Sequence, residues 1–287
     1  ESVTNALVVL HAIGGSTNAL IHFTAVAARR GIRIDLSAFD RLGRNIPVLV
    51  DLKPSGAHYM EHLYEDGGLM AVLKELKPFL HLDCMTISGR TLGEEIDAAT
   101  GPTKRKVIRI AAEPIFPSGG LAVLTGNLAP RGALIKHASA TPALLQHRGR
   151  AVVFDGLEDL ANRIDRDDLD VHADDVLVLK NIGPKGAPGM PEAGYIPIPK
   201  KLARAGVKDM VRMSDARMSG TAFGTIVLHI APEAAERGPL AAVRNGDMIR
   251  LDVAARTLTL EISDAEMAAR LAEWTPPPVL AAMPTHG

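Results

Sequence analysis

The chain has 287 residues, of which 47% are hydrophobic and 23% charged, and its net charge at pH 7 is −1. This balance is typical of a globular protein with one or two cores, and it excludes the strongly basic surface that holds a nucleic-acid backbone. No run approaches the roughly 18 apolar residues of a membrane-spanning helix, and a single cysteine, Cys84, excludes a disulfide framework within this chain. We therefore expect a cytoplasmic protein with no nucleic-acid and no membrane partner.

Helical patterns dominate residues 1–97. The chain starts at Glu1 and enters an apolar helical pattern at once, so we expect it to be the C-terminal part of a longer protein. The stretch STNALIHFTAVAARRGI (16–32) opens with an N-cap cluster and ends at basic residues and a glycine, which predicts a helix. The strand-like IPVLVDL (46–52) lies ahead of another helical pattern, EHLYEDGGLMAVLKELKPFL, and this alternation predicts α/β layers.

Short β-rich runs separated by turn signals dominate the second half. They predict a β-barrel or sandwich with helical insertions in GLEDLANRI, PEAAERGPLAAV and SDAEMAARLAEW. A Gly/Pro-rich, charged stretch joins the two halves, so we place a domain boundary near Pro117. The predicted domains are residues 1–117, the end of an α/β domain with its linker, and residues 118–287, the β-rich domain.

A Pro/Gly-rich loop follows the predicted strand DDVLVLKN. This loop, NIGPKGAPGMPEAGYIPIPKKL, contains five prolines and a single carboxylate, Glu192. A carboxylate on a stiff loop suits Mg²⁺, which prefers oxygen ligands and takes few from the protein. The alternative is an exposed loop glutamate, as most loop carboxylates are.

A second loop, SDARMSGTAFGT (214–225), follows the strand-like GVKDMVRM. Glycines and hydroxyls at the end of a strand are typical of loops that bind an anion. Ser219 and Thr221 share a side if the segment is extended, and Arg217 could clamp a carboxylate through two hydrogen bonds. The alternative is a Ser/Gly turn in which Asp215 makes a local hydrogen bond.

Three other features carry weaker signals. Ser16, Thr17 and Asn18, at the predicted helix start in AIGGSTNALIH, could cradle a substrate anion or only cap the helix. The stretch HYMEH (58–62) matches a zinc-protease pattern on one helix face, but nearby glycines favour an ordinary exposed helix. Cys84 is expected to be a small buried hydrophobe.

Seven stretches, in order, together resemble the C-terminal half of the iron–sulfur dehydratases, the family of dihydroxy-acid, phosphogluconate and sugar-acid (aldonate) dehydratases. They are AIGGSTNALIH, DCMTISGRTLGEEI, LTGNLAPRGALIK, AVVFDGLEDL, GAPGMPEAGYIPIPKKL, MSDARMSGTAFGTIVLHIAPEAA and GPLAAVRNGDMIRLDVAARTL. The resemblance covers nearly the whole chain. It implies that the second domain is a swivelling β-barrel that closes over an α/β domain bearing the cluster.

The resemblance also implies a chemistry. Family members remove water from a 2,3-dihydroxy acid with a [2Fe-2S] or [4Fe-4S] cluster and Mg²⁺, and they form homodimers or homotetramers. By this resemblance Glu192 is a magnesium ligand, Ser219 is the base that takes the C2 proton, and Thr221 orients the serine or the substrate. The cluster cysteines belong to the half of the family that this chain lacks, so we expect the chain to be inactive alone.

Three hypotheses remain at the level of sequence. Residues 215–220 read Asp-Ala-Arg-Met-Ser-Gly, which resembles the sugar-acid dehydratases. Dihydroxy-acid dehydratases more typically have Asp-Gly-Arg-Phe-Ser-Gly at this place. An aldonate substrate is therefore favoured over the dihydroxy acid of branched-chain amino-acid synthesis. A non-catalytic barrel module is the alternative of a different class.

Overall fold

The computed structural model describes residues 1–220 and 222–276. The chain divides into two compact units, Glu1–Ala122 and Val123–Gly287. No helix within the described ranges is long and apolar enough to cross a membrane.

The first unit is helical. Within its described residues the α-helices are α1 (Ser2–Ala12), α2 (Thr17–Ala28), α3 (Leu36–Gly43), α4 (Met60–Glu65), α5 (Gly68–Glu75) and α6 (Leu92–Ala98). Side chains cap the starts of α3 and α6, since Asp35 accepts hydrogen bonds from the backbone N–H groups of Ser37 and Ala38, and Thr91 and Glu94 form a capping box. Val8, Leu49 and Ile108 belong to its buried apolar core.

The strand expected at 46–52 is not a regular strand. Val48 and Val50 form single β-bridges, to Phe116 and Ile108 respectively. The apolar residues are buried as a strand would bury them, but no continuous ladder forms beside them in the described residues. Apolar alternation thus reports burial here, while a strand also needs a neighbour that pairs along its length.

The second unit contains a closed eight-stranded barrel, which confirms the barrel expectation. Its strands are β1 (Ala122–Gly126), β2 (Ala129–Ile135), β3 (Gln146–Asp155), β4 (Val176–Lys180), β5 (Arg212–Ser214), β6 (Ile226–Leu228), β7 (Met248–Asp252) and β8 (Thr257–Leu260). They are arranged in the order β1-β2-β6-β5-β4-β3-β7-β8. Strands β3, β4, β5 and β6 pair in parallel, whereas β2 pairs with β6, and β7 with β3 and β8, in antiparallel fashion.

Three α-helices lie between or after the barrel strands in the described sequence: α7 (Leu157–Arg163), α8 (Lys200–Arg204) and α9 (Asp264–Glu273). The helix expected in PEAAERGPLAAV is wrong, because two 3₁₀ turns, Ala234–Glu236 and Pro239–Ala242, occupy that stretch. Gly238 and Pro239 interrupt the α-helical pattern there, since proline lacks the backbone donor that a helix interior requires.

Candidate active site

The two loops singled out from the sequence leave the barrel side by side. Strands β4 and β5 are parallel neighbours in which Leu179 pairs with Ser214, so their carboxyl ends meet at one edge. The Pro/Gly loop (181–199) follows β4, and the serine loop (215–225) follows β5. Ligands of α/β proteins typically bind outside the carboxyl ends of parallel strands.

Asp215 joins the starts of both loops. Its side chain is 1% exposed, and its carboxylate accepts hydrogen bonds from the backbone N–H groups of Asn181 at 3.2 Å, Ile182 at 3.0 Å and Ala234 at 2.9 Å. Burial raises the pKa of Asp215 to about 6, although these three donors act in the opposite direction. The local hydrogen bond expected of a turn is made instead by Ser214, whose hydroxyl accepts from the N–H of Ala216 at 3.0 Å.

Arg212 joins the later parts of the same loops. The guanidinium is buried, and it donates to the carbonyls of Tyr195 at 2.9 Å and Phe223 at 3.3 Å. It also forms an ion pair with Asp209 at 2.8 Å. One side chain on β5 therefore holds the Pro/Gly loop and the serine loop together.

Asp209 is the ion-pair partner of Arg212, and we call this pair, which holds the two loops, the clasp. It accepts hydrogen bonds from the hydroxyls of Thr141 at 2.7 Å and Thr225 at 2.8 Å. Burial alone would raise the pKa of Asp209, but these hydroxyls and the Arg212 charge hold the pKa below its usual value. The pair is thus a charged, hydrogen-bonded unit with little contact with water.

Glu233 secures the first turn of the Pro/Gly loop. The buried carboxylate accepts from the backbone N–H of Lys185 at 2.9 Å and that of Gly186 at 3.0 Å. A Cβ atom on Gly183 would lie 2.4 Å from a Glu233 oxygen, so the loop approaches this carboxylate as closely as only glycine allows.

Glu192 and Arg217 approach each other across the two loops. Glu192 is exposed, and its Oε1 lies 3.8 Å from Nη1 of Arg217. The Nε of Arg217 donates to the carbonyl of Met190, and its own carbonyl accepts from the N–H of Gly194 at 2.8 Å. The arginine predicted to clamp a carboxylate therefore faces the carboxylate predicted to bind a metal.

Ser219 lies in a turn at the surface of the barrel. The residue is half-buried, and its carbonyl accepts from the N–H of Ala222 at 3.1 Å. Its neighbour Met218 is buried in an apolar cluster with Ile226 and Leu228 of β6, which anchors the turn. Thr221, predicted to assist the serine, lies outside the described residues.

The fold brings a histidine to this loop that the sequence did not connect with it. The backbone N–H of His229, just after β6, donates to the carbonyl of Ala216 at 3.1 Å, and His229 has a left-handed φ of +54°. Burial lowers the pKa of His229 to about 4, and the charge of Arg217 acts in the same direction. The ring is therefore neutral at pH 7.

The described residues do not by themselves form a complete ligand set for a metal ion or an iron–sulfur cluster. No group of three or more His, Cys, Asp or Glu side chains within the described ranges could hold a metal ion. Glu192 fits a magnesium site only as one contributor, which Mg²⁺ accepts because it keeps several waters. An iron–sulfur cluster does not fit, since the chain has one cysteine and clusters are held by several.

The three candidate residues of the first unit lie at the start of α2. The Ser16 hydroxyl accepts from the N–H of Asn18 at 3.2 Å, and Thr17 is buried at 3% exposure. Ser16 thus acts as an N-cap, and substrate binding by Ser16, Thr17 and Asn18 stays a prediction. A cavity of about 670 Å³ in this unit is lined by residues of the 1–7 and 32–42 segments and by none of these three.

The two weaker features of the first unit have structural roles. His58 precedes α4, so the HYMEH histidines do not share a helix face, and the Nδ1 of His62 instead accepts from the N–H of Tyr59 at 3.1 Å. Cys84 is half-buried and accepts a long contact of 3.7 Å from the Asn5 amide.

Known proteins similar to this chain are dehydratases. The chain is 51% identical to an L-arabinonate dehydratase of Rhizobium leguminosarum bv. trifolii over 96% of its length, and 51% identical to an L-arabonate dehydratase of Azospirillum brasilense over 95%. A dihydroxy-acid dehydratase of Dehalococcoides mccartyi is 42% identical over 95% of the chain. The matches cover 48%, 47% and 48% of these relatives, so the chain spans about half of their length.

Family models match both parts of the sequence. The model of the N-terminal domain of dihydroxy-acid/6-phosphogluconate dehydratases matches residues 1–95, and the model of the C-terminal domain matches residues 106–286. The latter range contains all eight strands of the barrel and both loops at its edge. The chain therefore belongs to the dihydroxy-acid/6-phosphogluconate dehydratase family.

Proposed function

We propose that the protein carrying this chain is an aldonate dehydratase, a hydro-lyase that converts a 2,3-dihydroxy sugar acid into its 2-keto-3-deoxy acid. The observation that carries the proposal is the pair of clasped loops at the ends of β4 and β5, which present Glu192, Arg217 and Ser219 at one edge of the barrel. The substrate we favour is a pentonate such as L-arabonate, because the chain is 51% identical to two dehydratases named for that acid.

The proton transfer is the step that this chain's residues would perform. Ser219, in its deprotonated form, takes the proton from C2, the C2–H electron pair forms the C2–C3 double bond, and the C3–O bond breaks. The departing hydroxide leaves as water with the proton that Ser219 has taken up, which returns the serine to its starting state. The resulting enol becomes the 2-keto acid. Ser219 needs a local positive environment for this role, because a serine hydroxyl is a weak base at its ordinary pKa.

Glu192 would supply one ligand to Mg²⁺. When bound, this ion would stabilise the negative charge that develops on the substrate oxygens. Glu192 would then bind the metal and give up its 3.8 Å contact with Arg217. The guanidinium of Arg217 would be available to pair with the carboxylate of the substrate. The residues of this chain take no part in holding an iron–sulfur cluster under this proposal, because Cys84 alone does not provide its ligands.

A dihydroxy-acid dehydratase is the second candidate, favoured by the 42% identity to the Dehalococcoides protein. The test compares kcat/KM of the full-length protein, purified without oxygen and supplied with Mg²⁺, on L-arabonate and on 2,3-dihydroxyisovalerate. We expect at least a ~10-fold preference for L-arabonate, which is about 1.4 kcal/mol of transition-state stabilisation. A preference for 2,3-dihydroxyisovalerate would replace the aldonate assignment with the second candidate.

A further inference from the structure

Lys136 is a largely buried cation at the end of β2 whose Nζ is not fully shielded from solvent. Its side chain is only 5% exposed. Within the described parts of the chain, its ammonium makes no hydrogen bond or ion pair, whereas the other buried lysine, Lys180, contacts Asp155 at 3.3 Å and the Val243 carbonyl at 3.0 Å. Burial is the sole cause of the shift that lowers the pKa of Lys136 to about 8, and no neighbouring charge contributes to it.

The barrel register places Lys136 next to the candidate site. Leu134 pairs with Leu228 and Ile135 with Val227, so continuing this antiparallel register by one residue sets Lys136 opposite Ile226. Directly opposite residues lie on the same face of a sheet. Ile226 in turn pairs with Arg212, which holds the two loops, and packs in the cluster of Met218.

Hydrogen bonds independently connect the segment after Lys136 with the serine loop. The N–H of Gly224 donates to the carbonyl of Ser139 at 2.9 Å, and the N–H of Thr141 donates to the hydroxyl of Thr225 at 3.1 Å. Lys136 therefore begins a segment that is attached to the loop of Ser219 on one side and to β6 on the other.

An ammonium without an acceptor is costly to bury, and proteins normally pair buried charges. A protein can keep such an unpaired ammonium, at a cost in stability, where a ligand supplies the negative charge that pairs with it. The nearby carboxylate Asp209 is already engaged with Arg212, Thr141 and Thr225.

We propose that Lys136 is an anion-binding residue of the candidate active site, and that its ammonium receives the carboxylate of the organic acid that binds beside Ser219. Only the identity of that acid rests on the proposed function. The carboxylate has two oxygens, so one can meet Lys136 while the other remains for a further ligand.

The test uses the full-length protein and pairs of ligands that differ in charge alone. Calorimetry measures the affinity for L-arabonate and its neutral amide, and for D-glycerate and its amide, in wild type, Lys136→Met and Lys136→Arg. Lys200→Met is the control, because Lys200 is 68% exposed and pairs with Asp165 on the surface. Thermal unfolding is recorded for each protein without ligand.

We expect Lys136→Met to weaken binding of the acids by about 10- to 100-fold, as the loss of a hydrogen bond to a charged group does, with little effect on the amides. Lys136→Arg should retain part of the preference, and Lys200→Met all of it. The unfolding temperature of Lys136→Met should stay the same or rise, because an unpaired buried charge has been removed. A structural lysine would lower it.

Unchanged preference for the acids in Lys136→Met would overturn the inference. The inference would also be overturned if Lys136→Met unfolded at a lower temperature and lost affinity for the acids and the amides equally. That result would mean that Lys136 pairs with a carboxylate elsewhere in the full-length protein. Turnover of L-arabonate by wild type is recorded in parallel. Its absence, with the acid preference intact for D-glycerate, would refute the proposed substrate and leave the role of Lys136 standing.

Discussion

Ser219 is the residue on which the proposed chemistry depends. We expect Ser219→Ala in the full-length protein to lower kcat by about 10²- to 10⁴-fold, the range of a lost general base, without changing the unfolding temperature by more than a few degrees. The measurement is steady-state formation of the 2-keto acid. The turn at Ser219 is held by backbone and by Met218, so the variant should fold normally.

The matched control is Ser263→Ala. Ser263 caps α9 through a 3.1 Å hydrogen bond from the N–H of Glu266. Its loss should cost about 1 kcal/mol of stability and leave kcat unchanged. Retention of more than about a tenth of kcat by Ser219→Ala, outside the range of a lost base, would make Ser219 a turn residue only.

Asp215 gives the free energy of unfolding a predictable dependence on pH. The folded protein holds the Asp215 proton up to a pKa of about 6, whereas the unfolded chain loses it near 3.8, the ordinary pKa of an aspartate. The stability that Asp215 contributes is therefore fully present below about pH 4 and is lost as the pH rises through 6. The difference is roughly 3 kcal/mol at 1.36 kcal/mol per pH unit.

This dependence can be isolated by comparing wild type with Asp215→Asn, which does not titrate. Urea unfolding at several pH values should show that wild type loses about 3 kcal/mol relative to Asp215→Asn between pH 3 and pH 7, with the steepest loss between pH 4 and pH 6. Parallel pH curves for the two proteins would show that Asp215 titrates normally in the fold.

Local chemistry in the sequence was enough to single out the candidate residues of the two loops, although their roles stay predictions. It placed Glu192, Arg217 and Ser219 on loops after strands, and the fold brings the first two within 3.8 Å. The sequence did not single out Arg212, Asp209 or Lys136. Each is a charged residue in a strand-like run, and its partners are known only once β2, β5 and β6 have paired. A charged residue in an apolar run is the signal that could have found all three.

At the level of elements, the Arg212–Asp209 pair holds two loops to β5. We expect Arg212→Met to destabilise the protein by about 3–5 kcal/mol, because it leaves the Asp209 carboxylate buried without its cation. The free energy of unfolding in urea measures this cost. The double variant with Asp209→Asn should be less destabilised than the sum of the single variants, since both act on one contact.

Arg166→Met is the matched control. Arg166 pairs with Asp168 at 2.7 Å, but both side chains are mainly exposed, so the cost should lie within about 1 kcal/mol. Equal effects of Arg212→Met and Arg166→Met would show that the clasp does not stabilise the fold.

The elements themselves were predictable where one pattern dominates. Apolar runs bounded by turn signals predicted the barrel strands, and the Ser/Thr/Asn cluster at 16–18 predicted the start of α2. The pattern failed at 46–52, where only bridges form, and at 232–243, where Gly238 and Pro239 favour 3₁₀ turns. In both stretches apolar spacing indicated burial correctly but left the backbone conformation undetermined.

At the level of the whole molecule, the proposals assign to this chain a base, Ser219, a metal ligand, Glu192, and an anion-binding lysine, Lys136. An iron–sulfur cluster, expected from the family resemblance, would need its ligands from outside this chain, because the chain has a single cysteine. The account therefore divides the catalytic machinery between this chain and residues beyond it.

The most direct test is dehydration of L-arabonate by the full-length protein and by the 287-residue chain alone, both purified without oxygen and supplied with Mg²⁺. The account predicts 2-keto-3-deoxy acid from the full-length protein and none from the 287-residue chain. Turnover by the chain alone would contradict it, because the described residues would then suffice without a cluster.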